Sequence, residues 1–257
     1  MSLKVVFIGA GNLASQLSKA IQNNGFKIIQ VYSRSKKSAT ELAEILSVSY
    51  TTNIKEIDKN ADIYFIALKD SVIKEVLAQI DFQNKLIVHC SGSLPLSVLT
   101  DYSDNCGVFY PLQTFTKSRF VDFSEIPVFI ESEKKENEEL LKSIAEKVSE
   151  KVENMGSEQR KILHVSAVFA CNFVNYMYTV AADILKSNNI SFDVIKPLIL
   201  ETARKVQEME PVLAQTGPAV RFDENVINEH LKELENFGDY HELYKSISKR
   251  IFEHHKS

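Results

Sequence analysis

Residue types that break or cross-link a chain are scarce here. The 257 residues include only 8 glycines and 6 prolines, which excludes collagen-like and low-complexity chains. The 3 cysteines lie far apart, so they form neither a disulfide framework nor a metal-ligand spacing. We therefore expect reduced thiols, a cytoplasmic protein and no metal site.

An excess of basic charge is also lacking. Lys and Arg number 30 against 34 Asp and Glu, giving a formal net charge of −4, so we expect no nucleic-acid partner. No secretion signal is expected, because Asn12 and Gln16 interrupt the first apolar run. The 44% of hydrophobic residues exclude disorder as the main state, and the length indicates one large domain or two modest ones.

The first part of the chain alternates short apolar runs with helical patterns. Residues 3–8 and 85–90 are nearly continuous apolar runs, which are typical of buried parallel strands. Strands that alternate with helices predict an α/β fold with a doubly wound parallel sheet. From residue 157 onward the pattern is helical. The sequence thus predicts a parallel-sheet domain over residues 1–155 and an all-α domain over residues 156–257.

A glycine-rich loop follows the first predicted strand and opens the first predicted helix, with the sequence Gly9-Ala10-Gly11-Asn12-Leu13-Ala14. In such a loop Gly9 permits a tight turn, Gly11 lets the backbone approach a pyrophosphate, and Ala14 lets helix and strand pack closely. The start of the helix also offers N–H groups to phosphates. We expect Gly9, Gly11, Asn12, Leu13 and Ala14 to bind a dinucleotide.

The end of the second predicted strand indicates which dinucleotide binds. An Asp or Glu at this point accepts hydrogen bonds from the ribose of NAD. The chain has Ser33, Arg34 and Ser35 instead. A guanidinium pairs well with a 2′-phosphate, so we expect NADP(H) as the cofactor. A solvated basic turn is the alternative.

Further residues at predicted strand ends are candidates for the same crevice. Leu68, Lys69 and Ser91 should lie near the ribose and nicotinamide. Asp70 is at least as well explained as a helix cap. His89 and Tyr110 have either a catalytic or a purely structural role.

Residues 162–182 contain no charged side chain, so the length alone would suit a membrane-spanning helix. Polar groups on it, such as His164 and Asn172, are costly in lipid, and we expect no membrane partner. A helix buried in protein is the better interpretation. The second domain has too few helices to surround it, which predicts a homodimer through the C-terminal helices.

Polar side chains form one stripe on this helix. At about 100° per residue, Lys161, His164, Asn172 and Asn175 fall within an arc of roughly 80°. His164 is a candidate proton donor and Asn172 a candidate for orienting a substrate; Lys161 is the third catalytic candidate. A structural network or a dimer contact explains His164 and Asn172 equally well, and Lys161 would more often lie at the surface.

The whole chain resembles the Rossmann-like NADP oxidoreductases that carry a helical C-terminal domain of unknown function (domain of unknown function 2520). The resemblance rests on the glycine-rich loop and on four further segments: 89–93, 110–115, 164–172, and 216–218 with Arg221 and Asp223. The family has His where Tyr110 stands and Gly where Phe222 stands. The N-terminal half is also similar to pyrroline-5-carboxylate reductase and to deazaflavin-dependent NADP reductases. The resemblance implies NADP binding and a dimer.

These observations lead to one main hypothesis and two alternatives. The main hypothesis is an NADP(H)-dependent reductase of a small carbonyl or imine compound, with the hydride supplied by the cofactor. A non-catalytic NADP(H)-binding sensor, or a structural dimer with a vestigial site, would share the loop but not the reaction. The role of Arg221, as a substrate anchor or as one half of a helix-capping pair, stays open.

Overall fold

The computed structural model describes residues 3–256. The chain divides into two compact units, Met1–Cys171 and Asn172–Ser257, and each is described by itself. The division falls inside one continuous helix, Ser157–Ser187. The predicted functional boundary near residue 155 remains a prediction.

The first unit contains a sheet and its flanking helices. Its strands are β1 (Lys4–Ile8), β2 (Lys27–Tyr32), β3 (Ser49–Thr51), β4 (Ile63–Ile66), β5 (Leu86–His89), β6 (Cys106–Pro111), β7 (Val128–Glu131) and β8 (Val152–Asn154). Its α-helices are α1 (Asn12–Asn23), α2 (Lys36–Leu46), α3 (Ile73–Leu77), α4 (Lys135–Val148) and α5 (Ser157–Ala167). Short 3₁₀ turns cover Ile54–Glu56, Asp70–Val72, Leu96–Val98 and Phe123–Glu125.

The strands form one 8-stranded sheet in the order β3-β2-β1-β4-β5-β6-β7-β8. All pairings are parallel except that of β6 with β7, which is antiparallel. Between those two strands the chain forms only a 3₁₀ turn, and not the crossover helix that a parallel pair requires. The predicted Rossmann-type sheet is thus confirmed, and it is mostly rather than wholly parallel. The strand order reverses between β1 and β4, where open α/β sheets form their ligand crevice.

The sheet is covered on both faces, which explains the continuous apolar runs in its strands. On one face Phe7 of β1 stacks on Phe65 of β4, with ring centroids 5.2 Å apart. On the other face Tyr64 packs edge-on against Phe82. Both faces are closed to solvent at these residues. The carboxyl ends of the central strands are therefore held on a rigid platform.

The second unit is helical. A π-helical segment, Val168–Phe173, follows α5, and the unit continues with α6 (Val174–Ser187), α7 (Lys196–Glu208), α8 (Pro211–Ala214), α9 (Pro218–Arg221), α10 (Glu224–Glu233) and α11 (Asp239–Lys256). A 3₁₀ turn, Phe192–Ile195, leads directly into α7. The Ser191 hydroxyl accepts from the N–H of Asp193 at 3.2 Å and fixes this tight start.

The long helix, Ser157–Ser187, differs from the prediction that it is buried. Its most apolar 18-residue window has a mean hydropathy of 1.3, and none of that window is buried within the chain. By length and composition alone this one helix is capable of crossing a membrane. The expectation of burial was wrong for a single chain, because the chain supplies too few elements to cover the helix. Its apolar residues, including Ile162, Val165 and Phe169, remain exposed.

Candidate active site

Gly9 directly follows β1 at the start of the glycine-rich loop. Its φ of +123° lies in a region that residues with a side chain rarely adopt. A Cβ at this position would lie 2.2 Å from the carbonyl oxygen of Ala67, just after β4. Gly9 therefore lets two neighbouring strand ends approach each other.

Gly11 has a different role, because a Cβ at this position would meet nothing within 4 Å. It precedes α1, no side chain caps the helix there, and no acidic residue lies in the first turn. Asn12 is exposed, Leu13 is half-buried, and Ala14 is fully buried against the sheet. The open backbone and uncapped N–H groups fit the pyrophosphate of a dinucleotide.

The turn after β2 carries the guanidinium of Arg34. Because β2 pairs with β1, this turn lies next to the glycine-rich loop that follows β1. Ser33 accepts from the N–H of Ser35 at 3.3 Å, and Ser35 in turn caps α2 by accepting from the N–H of Ser38 at 3.3 Å. Arg34, between these two serines, is exposed and forms no ion pair with any carboxylate of residues 3–256. The turn thus holds a cation available for a 2′-phosphate.

Hydroxyl groups cluster beyond the ends of β4 and β5. Ser91 accepts from the N–H groups of Ser93 and Leu94, each at 3.1 Å. The Ser93 hydroxyl donates to the carboxylate of Asp70. The N-cap of the turn Asp70–Val72 is Lys69 rather than Asp70, and the carboxylate of Asp70 accepts from Ser93 instead. Leu68 is half-buried and Lys69 exposed at the same strand end.

His89 is fully buried at the end of β5, and its Nδ1 accepts from the N–H of Ser91 at 3.1 Å. Burial lowers the pKa of His89 to about 4, and the nearby Arg160 charge acts in the same direction. The ring is neutral at physiological pH. Its geometry fits a structural role in shaping the loop that carries Ser91.

Tyr110 and His164 meet beside Gly92. The Tyr110 hydroxyl, near the end of β6, lies 3.0 Å from Nδ1 of His164 on α5, and the two are hydrogen-bonded. A Cβ on Gly92 would lie 2.6 Å from His164 Nδ1 and 2.7 Å from Tyr110 Cζ. The glycine therefore leaves the space in which the two rings meet.

Arg160, one helical turn before His164, is the largest of the fully buried side chains. Its guanidinium pairs with Glu131 at the end of β7 and donates to the carbonyl oxygen of Leu94 at 2.6 Å. Ser157 joins the same network by donating its hydroxyl to Glu131 at 2.9 Å. This network fixes the start of α5 to the sheet and thereby sets the position of His164. Sequence reasoning missed Arg160 and Glu131; the four-residue spacing from Arg160 to His164 was the available signal.

The other two catalytic candidates are not brought to this pair within the first unit. Lys161 is exposed on α5. Asn172 is exposed and begins the second unit. The six-residue π-helical segment Val168–Phe173 has more residues per turn than an α-helix, so the uniform angular count behind the polar stripe does not hold beyond Val168. Segments of this kind are frequent at functional sites.

The remaining candidates are readily placed. Asp223 caps α10 by accepting from the N–H of Val226 at 3.4 Å, while Arg221 is exposed in the second unit. Within residues 3–256 no group of three or more His, Cys, Asp or Glu side chains is arranged to hold a metal ion.

A mostly parallel sheet, an open glycine-rich loop at its switch point and a polar pair beside the strand ends define a dinucleotide-dependent oxidoreductase. Family models agree with this class. Residues 4–92 match the family described as "NADP oxidoreductase coenzyme F420-dependent", and residues 126–251 match a domain of unknown function, DUF2520. No curated protein matches the chain at a significant level.

Solved structures extend the similarity over the whole chain. A Bacteroides fragilis protein described as an NADP oxidoreductase is 50% identical, with 98% of each chain covered and a TM-score of 0.95. A Thermotoga maritima protein is 25% identical over 98% of this chain and 100% of its own, with a TM-score of 0.82. A Myxococcus stipitatus imine reductase in complex with NADP⁺ shares the fold, at 15% identity, 97% and 92% coverage and a TM-score of 0.66.

The chain belongs to this family of NADP oxidoreductases with a DUF2520 C-terminal domain. The resemblance stated from sequence is confirmed, and NADP is the cofactor of the family.

Proposed function

We propose that the protein is an NADP(H)-dependent reductase of a small carbonyl or imine compound. The observation that carries the proposal is the open backbone at Gly11, next to the uncapped start of α1. Arg34 lies at the same edge of the sheet, exposed and without an ion pair among residues 3–256. Residues 1–155 bind the cofactor in this proposal, and residues 156–257 form a dimerisation domain.

The cofactor residues divide by the part of the dinucleotide they hold. The loop of Gly9, Gly11, Asn12, Leu13 and Ala14 holds the pyrophosphate. Ser33, Arg34 and Ser35 hold the 2′-phosphate, with Arg34 as the charge partner. Leu68, Lys69 and Ser91 line the ribose and nicotinamide end. When bound, NADPH supplies a hydride to an electrophilic carbon.

The chain's own residues supply the proton and the orientation of the substrate. His164 gives a proton to the substrate oxygen or nitrogen, because its imidazole ring is half-buried and is held by Tyr110. Asn172 orients the substrate as a hydrogen-bonding amide. Lys161 is the third catalytic candidate. Because its side chain is exposed, substituting it should not disturb the fold, so Lys161 is the first of the three to test by mutation.

We further propose a cytoplasmic homodimer formed through the C-terminal helices. Leu198 of α7 is 66% exposed and Leu213 of α8 is 72% exposed, and neither helix contains a buried residue. The same unit has an apolar cavity of about 330 Å³ bordered by α6, α9, α10 and α11. Exposed apolar surface of this kind is typical of a protein–protein interface, and a second copy of the same chain is the partner that we propose. The three free cysteines suit a reducing compartment.

NADPH oxidation in the presence of small 2-oxo acids and cyclic imines tests the reductase directly. We expect turnover with at least one of these substrates and loss of most of it in His164→Ala. Ser166→Ala, an exposed position on the same helix, is the matched control and should keep the native rate. NADPH binding without any turnover would favour a sensor instead.

A further inference from the structure

The hydrogen bond between Tyr110 and His164 involves only one of the two ring nitrogens of His164. Nδ1 lies 3.0 Å from the Tyr110 hydroxyl. Within residues 3–256, that hydroxyl forms no other hydrogen bond. A buried hydroxyl donates to the acceptor available to it, so the neutral histidine accepts at Nδ1 and carries its own proton on Nε2.

The Tyr110 ring is held between fixed groups. It is 7% exposed, packs on Phe129 with ring centroids 6.4 Å apart, and faces the space left by Gly92. His164 is set on a helix whose start is anchored by the Arg160–Glu131 pair. Neither ring therefore depends on a flexible loop for its position.

Arg160, one helical turn before His164 and paired with Glu131, also affects Tyr110. Arg160 is fully buried, and its charge acts to lower the pKa of Tyr110 against the larger raising effect of burial. A positive charge at this position stabilises a tyrosinate more than a tyrosine. The residue that anchors α5 thus also acts on the hydroxyl bonded to His164.

We propose that His164, Tyr110 and Arg160 form a proton relay for the proposed reduction, on which this inference rests. As hydride adds to the substrate carbon, the π electron pair moves to the substrate oxygen or nitrogen, which takes the proton from Nε2 of His164. The Tyr110 hydroxyl proton moves to Nδ1, and the resulting tyrosinate is stabilised by Arg160. Water returns a proton through the half-buried His164. His164 is the catalytic residue; Tyr110 and Arg160 act through it.

The first test needs neither cofactor nor substrate. ¹⁵N NMR of the His164 ring in the native protein should show the Nε2–H form at neutral pH. Tyr110→Phe should shift the Nδ1 resonance. Gly92→Ala should do the same with both reactive groups intact, because Gly92 does not need a left-handed backbone and only its new methyl group separates the rings. A native Nδ1–H form, or a spectrum unchanged in both variants, would overturn the relay.

The second test uses 2-methyl-1-pyrroline and pyruvate as substrates at saturating NADPH. Tyr110→Phe should lower kcat by about 100-fold or more while KM and NADPH binding stay near native values. Arg160→Lys should keep more of kcat than Arg160→Met, and Arg160→Met should move the alkaline limb of the pH profile upward, provided circular dichroism shows it folded. If Arg160→Met does not fold, the kcat of Arg160→Lys alone tests whether the positive charge at this position matters.

The outcomes separate the relay from the proposed function. If the native protein turns over and Tyr110→Phe is within about twofold of it, the relay is wrong and the reductase stands. If the native protein binds NADPH but oxidises none with either substrate, the proposed function fails and the relay with it.

Discussion

Nη2 of Arg160 lies 2.6 Å from the carbonyl oxygen of Leu94, a residue 66 positions earlier in the chain. This bond fixes the first turn of α5 to the loop after β5, and the ion pair with Glu131 fixes the same turn to the end of β7. The loop contains Gly92, which borders both Tyr110 and His164. The candidate catalytic pair therefore depends on an ion pair whose two members, Arg160 and Glu131, are not among the predicted cofactor residues.

Arg160→Met should destabilise the protein strongly. Removing one member of a buried ion pair leaves Glu131 uncompensated, and such changes cost about 3–5 kcal/mol of unfolding free energy. Arg221→Met, at an exposed position, should change it by less than about 0.5 kcal/mol. Urea unfolding measures both. Equal stabilities of the two variants would show that the pair does not hold α5.

The two loop glycines should respond differently to substitution. Gly11→Val should abolish NADPH binding while the melting temperature stays near the native value, because its side chain enters open space where the pyrophosphate is proposed to lie. Gly9→Ala should lower the melting temperature, because its Cβ would meet the Ala67 carbonyl. Fluorescence titration with NADPH and thermal unfolding make the comparison. Native NADPH affinity in Gly11→Val would remove the loop from the site.

Arg34 should determine the preference for NADPH over NADH. We expect NADPH to bind at least tenfold more tightly, about 1.4 kcal/mol, and Arg34→Ala to remove most of that difference while leaving NADH affinity unchanged. Lys36→Ala, at a neighbouring exposed cation, is the control. Calorimetric titration with both dinucleotides measures the effect. Equal native affinities would contradict this role for Arg34.

His89 should make stability fall with acid. Its folded-state pKa is about 4, below the ordinary value near 6.5, so the unfolded chain binds the proton first. Stability is present above about pH 6.5 and is lost toward pH 4, by about 2–3 kcal/mol between pH 7.5 and 4.5. His89→Gln, which keeps an acceptor for Ser91, should flatten this difference, and His241→Gln should not. Identical pH slopes in native protein and His89→Gln would refute the assignment.

Leu198→Asp should convert the proposed dimer to a monomer. A charge in an apolar interface is costly, and this side chain is 66% exposed within its own chain. Phe120→Asp, at an 86% exposed position in the first unit, is the matched control and should leave the dimer intact. Light scattering should give about twice the 29.1 kDa chain mass for native protein and control. A native monomer would contradict the dimer.

The sheet and the glycine-rich loop were predictable because their causes are local. A strand, a tight turn at Gly9 and a helix start at Asn12 follow one another within a few residues. Arg160 was not predictable in this way, because its partners Leu94 and Glu131 are distant in sequence. The uniform angular count behind the polar stripe does not apply beyond Val168, because hydrophobic periodicity gives no sign of a π-helical segment. Tyr110 and His164 were each noticed, but their contact depends on tertiary packing and on the space at Gly92.

The transfer of deuterium from NADPH labelled at C4 of the nicotinamide tests the central claim most directly. The protein is incubated with the labelled cofactor and a set of 2-oxo acids and cyclic imines, and the products are analysed by mass spectrometry. The account predicts one deuterium on the reduced carbon of at least one product and almost none with His164→Ala. Bound NADPH that transfers no deuterium to any of these compounds would contradict it.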